Sequence, residues 1–407
     1  MVANAVFVAP FLMESTLRFV DAAASLPGVR LGLVSQDAEE SLPPGLRSKL
    51  DGHYRIDDGM DPEQIKLGVG ALGRHFGGVD RILGSLEQLQ VPLGMVRDAL
   101  GVQGMGTDAA VNFRDKSRMK TVLSQHGLPC ARHRLAHSAD EAITFADEVG
   151  FPLVVKPPAG AGTIDTFRIN SADELRRWLG VAPPNPDRPA QVEEFLTGEE
   201  FSFDSVYLDG RVVWHNISRY LPTPLEAVDN PWIQFVVVLP RDIDGPEYDA
   251  IRQVGPAALH ALGMTNGLAH MEWFRRPDGS AAVSEVGARP PGALITPLMS
   301  WAHERDFYSE WARLMIFDTF DPPERRFAAG AAFLRGQGEG RIRAVHGLEE
   351  MQREVGELVV EARLPKEGAV PATSYEGDGY VIVRHPDTSV VEWAVRRMIE
   401  TIRVELG

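Results

Sequence analysis

The sequence predicts an α/β (α+β) protein of several domains. Three observations carry this: an opening strand–helix–strand pattern, a later run of strand candidates suited to an antiparallel sheet, and a glycine-rich loop set between two strands. The 407 residues, 44% of them hydrophobic, suffice for two to four ordinary domains. We expect a doubly wound α/β unit over 1–107, a small region with the glycine-rich loop over 108–190, a central antiparallel unit over 191–323 and a β-rich unit over 324–407.

The apolar run at 5–9, an amphipathic helix at 14–25 and a second strand at 30–34 define the opening unit. A third strand follows at 79–83, then a turn and a helix. In the next region, DKSRMKTVLSQHGLP reads as one helix with Met119, Val122 and Leu123 on one face, closed by Gly127 and Pro129. Ser138 with Glu141, and Ser171 with Glu174, have the spacing of capping boxes, so each starts a helix that should end at a glycine in a left-handed cap. The proline-rich stretch 181–190 reads as a surface connection. Strand candidates follow at 190–195, 200–208, 211–218, 234–239, 267–274 and 281–286, with one long helix at 246–262 and a long loop at 220–232. The chain should finish in a helix from 389 to about 404.

Composition removes several function classes. A net charge of −16 argues against a surface that tracks nucleic-acid phosphates, so we expect no nucleic-acid partner. No apolar run reaches the roughly 18 to 20 residues of a membrane span, and the first residues lack a signal-peptide pattern, so we expect no membrane partner and a cytoplasmic location. The single Cys130 excludes an internal disulfide framework and a thiolate metal cluster. Small-molecule chemistry remains. Only six lysines occur, at 49, 66, 116, 120, 156 and 366, which makes each lysine inside a motif informative.

One such lysine, Lys156, ends an apolar strand just before PPAGAGT. Glycines let backbone N–H groups approach a polyphosphate, and lysine supplies a compact cation. The pattern matches neither a P-loop nor a dinucleotide fingerprint, and a tight hairpin would explain the loop alone. It is joined, however, by RDKSRMK about 40 residues earlier, and by QVEEFLTGEEFSFD, HMEWF and SEVGARPPG afterwards. This ordered series resembles the ATP-grasp superfamily over most of the chain. The version EVGARPPG resembles the carboxylate–amine ligase branch, with its L-amino-acid ligases and carnosine-synthase-like enzymes, and the C-terminal region resembles that of biotin carboxylase.

The resemblance implies an ATP-grasp fold with a Rossmann-like N-terminal domain, a lid, a central antiparallel sheet domain and a C-terminal β-rich cap. It implies ATP and Mg²⁺, or Mn²⁺ in its place, and no organic redox cofactor. Lys116 and Lys156 would hold phosphates, with Gly160, Ala161, Gly162 and Thr163 closing over them. Glu193, Glu194, Phe195 and Leu196 would form the adenine hinge, and Glu200 would take the ribose, with Glu199 as the alternative. Glu272 and Glu285 fall on two strands joined by RRPDGS, so a hairpin would set both carboxylates on one face for Mg²⁺. Gly287 stands where D-alanyl-D-alanine ligases carry a further ligand, Asn. Arg289 would grip the reacting carboxylate, Gly292 would let substrate approach the backbone, and His270 would touch substrate or phosphate or else support Glu272. Trp232, with Leu221, Pro222 and Ile233, would cover an acceptor pocket.

We therefore expect an ATP-dependent ligase that activates a carboxylate as an acyl phosphate and couples it to an amine, with small-molecule carboxylate and amine partners. Similar enzymes are often homodimers. Two alternatives stay open: a bicarbonate-dependent carboxylase of biotin-carboxylase or purine-biosynthetic type, and a nucleotide-binding regulatory protein without turnover.

Overall fold

A computed structural model describes residues 2–158, 166–222, 234–372 and 376–407. The chain opens with a parallel four-stranded sheet in the spatial order Gly52–Arg55, Val29–Ser35, Ala3–Val8, Arg81–Leu83. Residues 5–9 are fully buried because helices cover both faces. On one side Phe19 and Val20 of the helix Glu14–Ala24 pack down, and on the other Ile65, Val69, Leu72 and Phe76 of the helix Pro62–Phe76 do so. The second helix has local start and stop signals: Asp61 caps it, Pro62 occupies its first turn, and Gly77 leaves it with φ +83°.

A small antiparallel sheet follows, in the order His133–Ala136, Ala190–Glu194, Leu153–Lys156, Phe167–Ile169, covered by the helices Ala139–Val149 and Ala172–Val181. Ser138 and Ser171 cap these helices by accepting from the N–H groups of Glu141 and Glu174. The two glutamates bond back to the N–H groups of His137 and Asn170, one residue before each cap. The second helix does not end at a glycine: Gly180 lies within its last turn and Ala182 closes it.

The large sheet has eight strands. Its order is Ala281–Gly287, Gly267–Arg275, Glu199–Leu208, Arg211–Leu221, Phe235–Leu239, Ala328–Leu334, Gly379–His385, Val359–Arg363, and it runs without a break from the centre of the chain into the C-terminal region. One face packs on the helices Asp249–Ala261 and Thr388–Thr401. The other meets the helices Ile295–His303 and Phe307–Phe317 and, through Phe7, Phe19 and Trp311, the N-terminal unit. The chain ends not in a helix but in a strand, Arg403–Leu406, which lies between Gly336–Gln337 and Ile342–His346.

Arg18 bonds Tyr308 and Glu361, and Glu361 also accepts from Trp301 and Tyr380, so first helix and last sheet strand share one polar node. Among the described residues, no helix is long and apolar enough to cross a membrane.

Candidate functional site

The strands Gly267–Arg275 and Ala281–Gly287 form the hairpin that the Asp-Gly turn suggests, and Glu272 lies directly opposite Glu285. A β-bulge makes this pairing. Trp273 faces Val283, whereas Glu272 faces Glu285, so Ser284 is an extra residue in its strand. The two carboxylates stay partly open, at 31% and 24% exposure, whereas Asp204 on the next strand is fully buried.

Three lysines approach these acids. Lys116 begins the helix Lys116–Gln125, which Asp115 caps, and its Nζ lies 2.7 Å from Glu285 Oε1. Its backbone N–H donates to the Pro158 carbonyl at 2.9 Å, pinning the start of the glycine-rich loop to this helix. Lys156 reaches Glu193 Oε2 at 3.0 Å. Lys120 approaches the same oxygen at 3.5 Å and donates to the Ser284 carbonyl at 2.7 Å.

Burial pushes the Glu285 carboxyl upward, but Lys116, Lys156 and Arg289 outweigh it and bring its pKa down to about 2. Glu193 likewise resists burial through Lys120 and Lys156 and stays on the acidic side. Burial lowers the pKa of Lys120, although Glu193 opposes the shift. Lys156 and Glu285 thus belong to one charge cluster.

Beneath Glu272 lies a polar strip on the same sheet face. His270 Nδ1 is 2.6 Å from Asp204 Oδ1, and Asp204 Oδ2 accepts from Ser202 at 2.8 Å and from Ser218 at 3.3 Å. Burial disfavours the charged His270 ring, yet Asp204 and Glu272 raise its pKa to about 9, so it is an imidazolium at neutral pH. Its Nε2 sits 3.7 Å from Glu272 Oε1.

Arg289 binds a carboxylate of the protein itself. Its Nε and Nη2 contact Glu87 Oε2 at 3.1 and 2.8 Å, and Arg114 Nη1 takes the other Glu87 oxygen at 3.0 Å. Just past it, Gly292 leads into Ala293 and Leu294, both at positive φ, and the Ala293 N–H donates to Glu376 Oε1 at 3.0 Å.

The hinge candidates lie at the end of the strand Ala190–Glu194. The Glu194 and Phe195 N–H groups are taken by the Arg132 and Pro152 carbonyls. The Glu194 carboxylate pairs with Arg132 at 2.7 Å, Arg168 lies over the Phe195 ring, and Leu196 is buried beside Ala131 and Ala282. Glu199 pairs with Arg275, whereas Glu200 alternates onto the face of Ser202 and Asp204. Gly160, Ala161, Gly162, Thr163, Trp232 and Ile233 lie outside the described residues.

Oxygen donors at Glu272 and Glu285 suit a hard cation such as Mg²⁺. Among the described residues, no three His, Cys, Asp or Glu groups are arranged to hold a metal alone, so the donor set fits an ion that completes its shell with phosphate oxygens and water.

Comparison with known proteins fits this arrangement. Residues 115–182 match the ATP-binding domain of the carbamoyl-phosphate synthase L chain. The chain is 25% identical over 329 residues to the L-arginine-specific L-amino acid ligase of Bacillus subtilis, a match spanning 79% of this chain and 78% of that protein. In sequence and fold the chain thus resembles ATP-grasp ligases of the carboxylate–amine branch. Its fold matches the L-amino acid ligase of Bacillus licheniformis at a TM-score of 0.78, with 19% identity and 100% and 99% of the two chains covered. It also matches the carboxyaminoimidazole ribonucleotide synthase of Aspergillus clavatus complexed with ATP, at a TM-score of 0.73, 17% identity and 98% of each chain.

Sequence inspection missed Lys120, Glu87 and Asp204. Lys120 had a signal, since it follows Lys116 by four residues and so shares its helix face. Glu87 follows a strand at the carboxyl end of an open parallel sheet, where such folds place ligands. Asp204 was legible only as a charge inside an apolar strand.

Proposed function

We propose that this chain is an ATP-grasp ligase that activates the carboxylate of an amino acid or related small acid and couples it to an amine, releasing ADP and phosphate. A substrate carboxylate oxygen attacks the γ-phosphorus of ATP, the bond from that phosphorus to the bridging oxygen breaks, and ADP departs. The amine then attacks the acyl phosphate carbon, phosphate leaves, and an amide remains. Bound Mg²⁺ would neutralise the phosphate charge, with Glu272 and Glu285 holding it. Lys116 and Lys156 bind phosphate oxygens, Leu196 offers the adenine edge an N–H, and Glu200 takes the ribose. Arg289 grips the acyl oxygens, and His270, as a cation, orients substrate beside Glu272. Positioning and charge supply most of the rate in such transfers.

The observation that carries the amino-acid reading is Glu87. A buried carboxylate held beside Arg289 offers an acceptor for an α-ammonium within reach of the reacting carboxyl group. A bicarbonate substrate has no such cation. The second reading, a bicarbonate-dependent carboxylase, draws support from the fold shared with the carboxyaminoimidazole ribonucleotide synthase.

A pairwise screen of amino acids, related acids and bicarbonate for phosphate release, with mass detection of products, separates the two. We expect ADP formation that requires an amino acid and a product equal in mass to both substrates less water. Bicarbonate-stimulated ADP release without any amino acid would overturn the ligase reading in favour of the carboxylase.

A further inference from the structure

Lys120 has no exposed surface, yet it stands at the centre of the charge cluster. Its ammonium joins two elements that are remote in sequence: the bulged Ser284 carbonyl on the large sheet, and Glu193 on the small sheet. The bulge decides where Glu285 points. Along the rest of the hairpin Trp273 faces Val283, Phe274 faces Ala282 and Arg275 faces Ala281. Were that register continued, Glu272 would face Ser284, and Glu285 would fall opposite Met271. Met271 packs with Trp273 and Ile251 on the opposite face of the sheet, in the core under the helix Asp249–Ala261. The extra residue therefore brings the second carboxylate onto the side of Glu272. A bulged carbonyl has left the regular ladder, and a buried carbonyl without a partner is costly. Lys120 supplies the partner.

We propose, resting on the nucleotide and metal site argued above, that Lys120 is a positioning residue: it locks the Ser284 bulge, and through Glu193 it ties the two metal-binding carboxylates to the strand that leads into the adenine hinge. Lys120 acts through Ser284 and Glu193, in contrast to Lys116 and Lys156, which face the phosphates. Loss of its cation frees the bulge to relax toward the regular register, so Glu285 spends less time beside Glu272. The affected quantity is the gain in nucleotide affinity that Mg²⁺ confers.

Calorimetric titration of the full chain with ADP, with and without Mg²⁺, reads that gain without turnover. In Lys120→Met we expect it to fall by about tenfold or more, the usual effect of removing a group that orients metal ligands. Lys120→Arg, which keeps a cationic donor, should restore most of it. A merely structural lysine would lower the melting temperature and leave the Mg²⁺ gain at its wild-type value, and that result in Lys120→Met would overturn the proposal. Should Lys120→Met not fold, Lys120→Gln carries the same test. Failure of both to fold would assign Lys120 to the fold instead of the site, and would also overturn it. Absence of any Mg²⁺-dependent ADP binding by the wild type would fail at an earlier step, by removing the nucleotide site itself.

Discussion

Two halves of one sheet face have opposite chemistry. Across Phe235–Leu239, Ala328–Leu334 and Gly379–His385, the face toward the N-terminal unit carries Phe235, Val237, Leu239, Ala329, Ala331, Phe333, Tyr380 and Ile382, packed with Ile295, Leu298 and Met299. Across Arg211–Leu221, Glu199–Leu208, Gly267–Arg275 and Ala281–Gly287 the same face changes to Ser218, Asn216, Ser202, Asp204, His270, Glu272 and Glu285. The ladder is continuous, so backbone hydrogen bonding does not distinguish them. What differs is the cover: helices close over one half, while the cations Lys116, Lys156 and Arg289 lie beside Glu285 on the other. Burying Phe or Val side chains contributes roughly 1.5–3 kcal/mol each, and the apolar half takes that gain in full. The polar half forgoes it and needs internal pairing for every charge it holds.

The sharpest way to break this contrast is Glu285→Gln. We expect kcat to fall by at least about 10³-fold, the loss of several kcal/mol of charge stabilisation, while circular dichroism and cooperative melting persist. Near-normal turnover would remove Glu285 from metal binding. On the apolar half the pattern should invert. Phe333→Ala, at a fully buried ring tilted against Phe235, should cost about 3–5 kcal/mol in denaturant unfolding and leave kcat per folded molecule unchanged. Equal damage to kcat would show that the halves are not separable.

Arg289→Ala should lower kcat/KM by about 10²-fold, as loss of a group stabilising developing oxyanion charge does. A mild effect would move the substrate carboxylate elsewhere. The smallest effect concerns pH. His303, in a helix that covers the apolar half, is buried, and that burial together with Arg325 lowers its pKa to about 4. The unfolded chain takes up this proton near pH 6.5, as a free imidazole does, whereas the folded chain resists until about pH 4, so stability declines as pH falls through that window. His303→Leu should flatten the decline in melting temperature across it, and an unchanged slope would assign it to other groups.

Legibility in the sequence followed the range of the interactions involved. The opening βαβ pattern and the capping serines Ser138 and Ser171 show locally, because their signals and their partners lie within a few residues. The helix Pro62–Phe76 escaped notice because Gly68, Gly70 and Gly73 lower its intrinsic propensity, and Gly68 has its reason in tertiary packing. A Cβ there would come within 3.0 Å of Tyr54 and 3.1 Å of Val34. The helix read from 389 to about 404 is found at Thr388–Thr401, and the strand Arg403–Leu406 after it gives no local signal because its two partner strands, at Gly336–Gln337 and Ile342–His346, lie more than 50 residues away.

The same division holds at the site. Lys116, Lys156, Glu193, Glu272, Glu285 and Arg289 sit in short motifs and could be named from them. Their partners could not. Glu87 reaches Arg289 from 202 residues away, and Asp204 reaches His270 from 66. The bulge at Ser284 leaves no mark in the sequence, since a regular hairpin with the same turn would have put Glu285 on the wrong face.

The most direct measurement of the chemistry is oxygen transfer. With an amino acid identified in the pairwise screen and labelled with ¹⁸O in its carboxyl group, the released inorganic phosphate should carry one ¹⁸O per product formed, alongside ADP. Unlabelled phosphate, or AMP with pyrophosphate in place of ADP, would contradict carboxylate activation at the γ-phosphate.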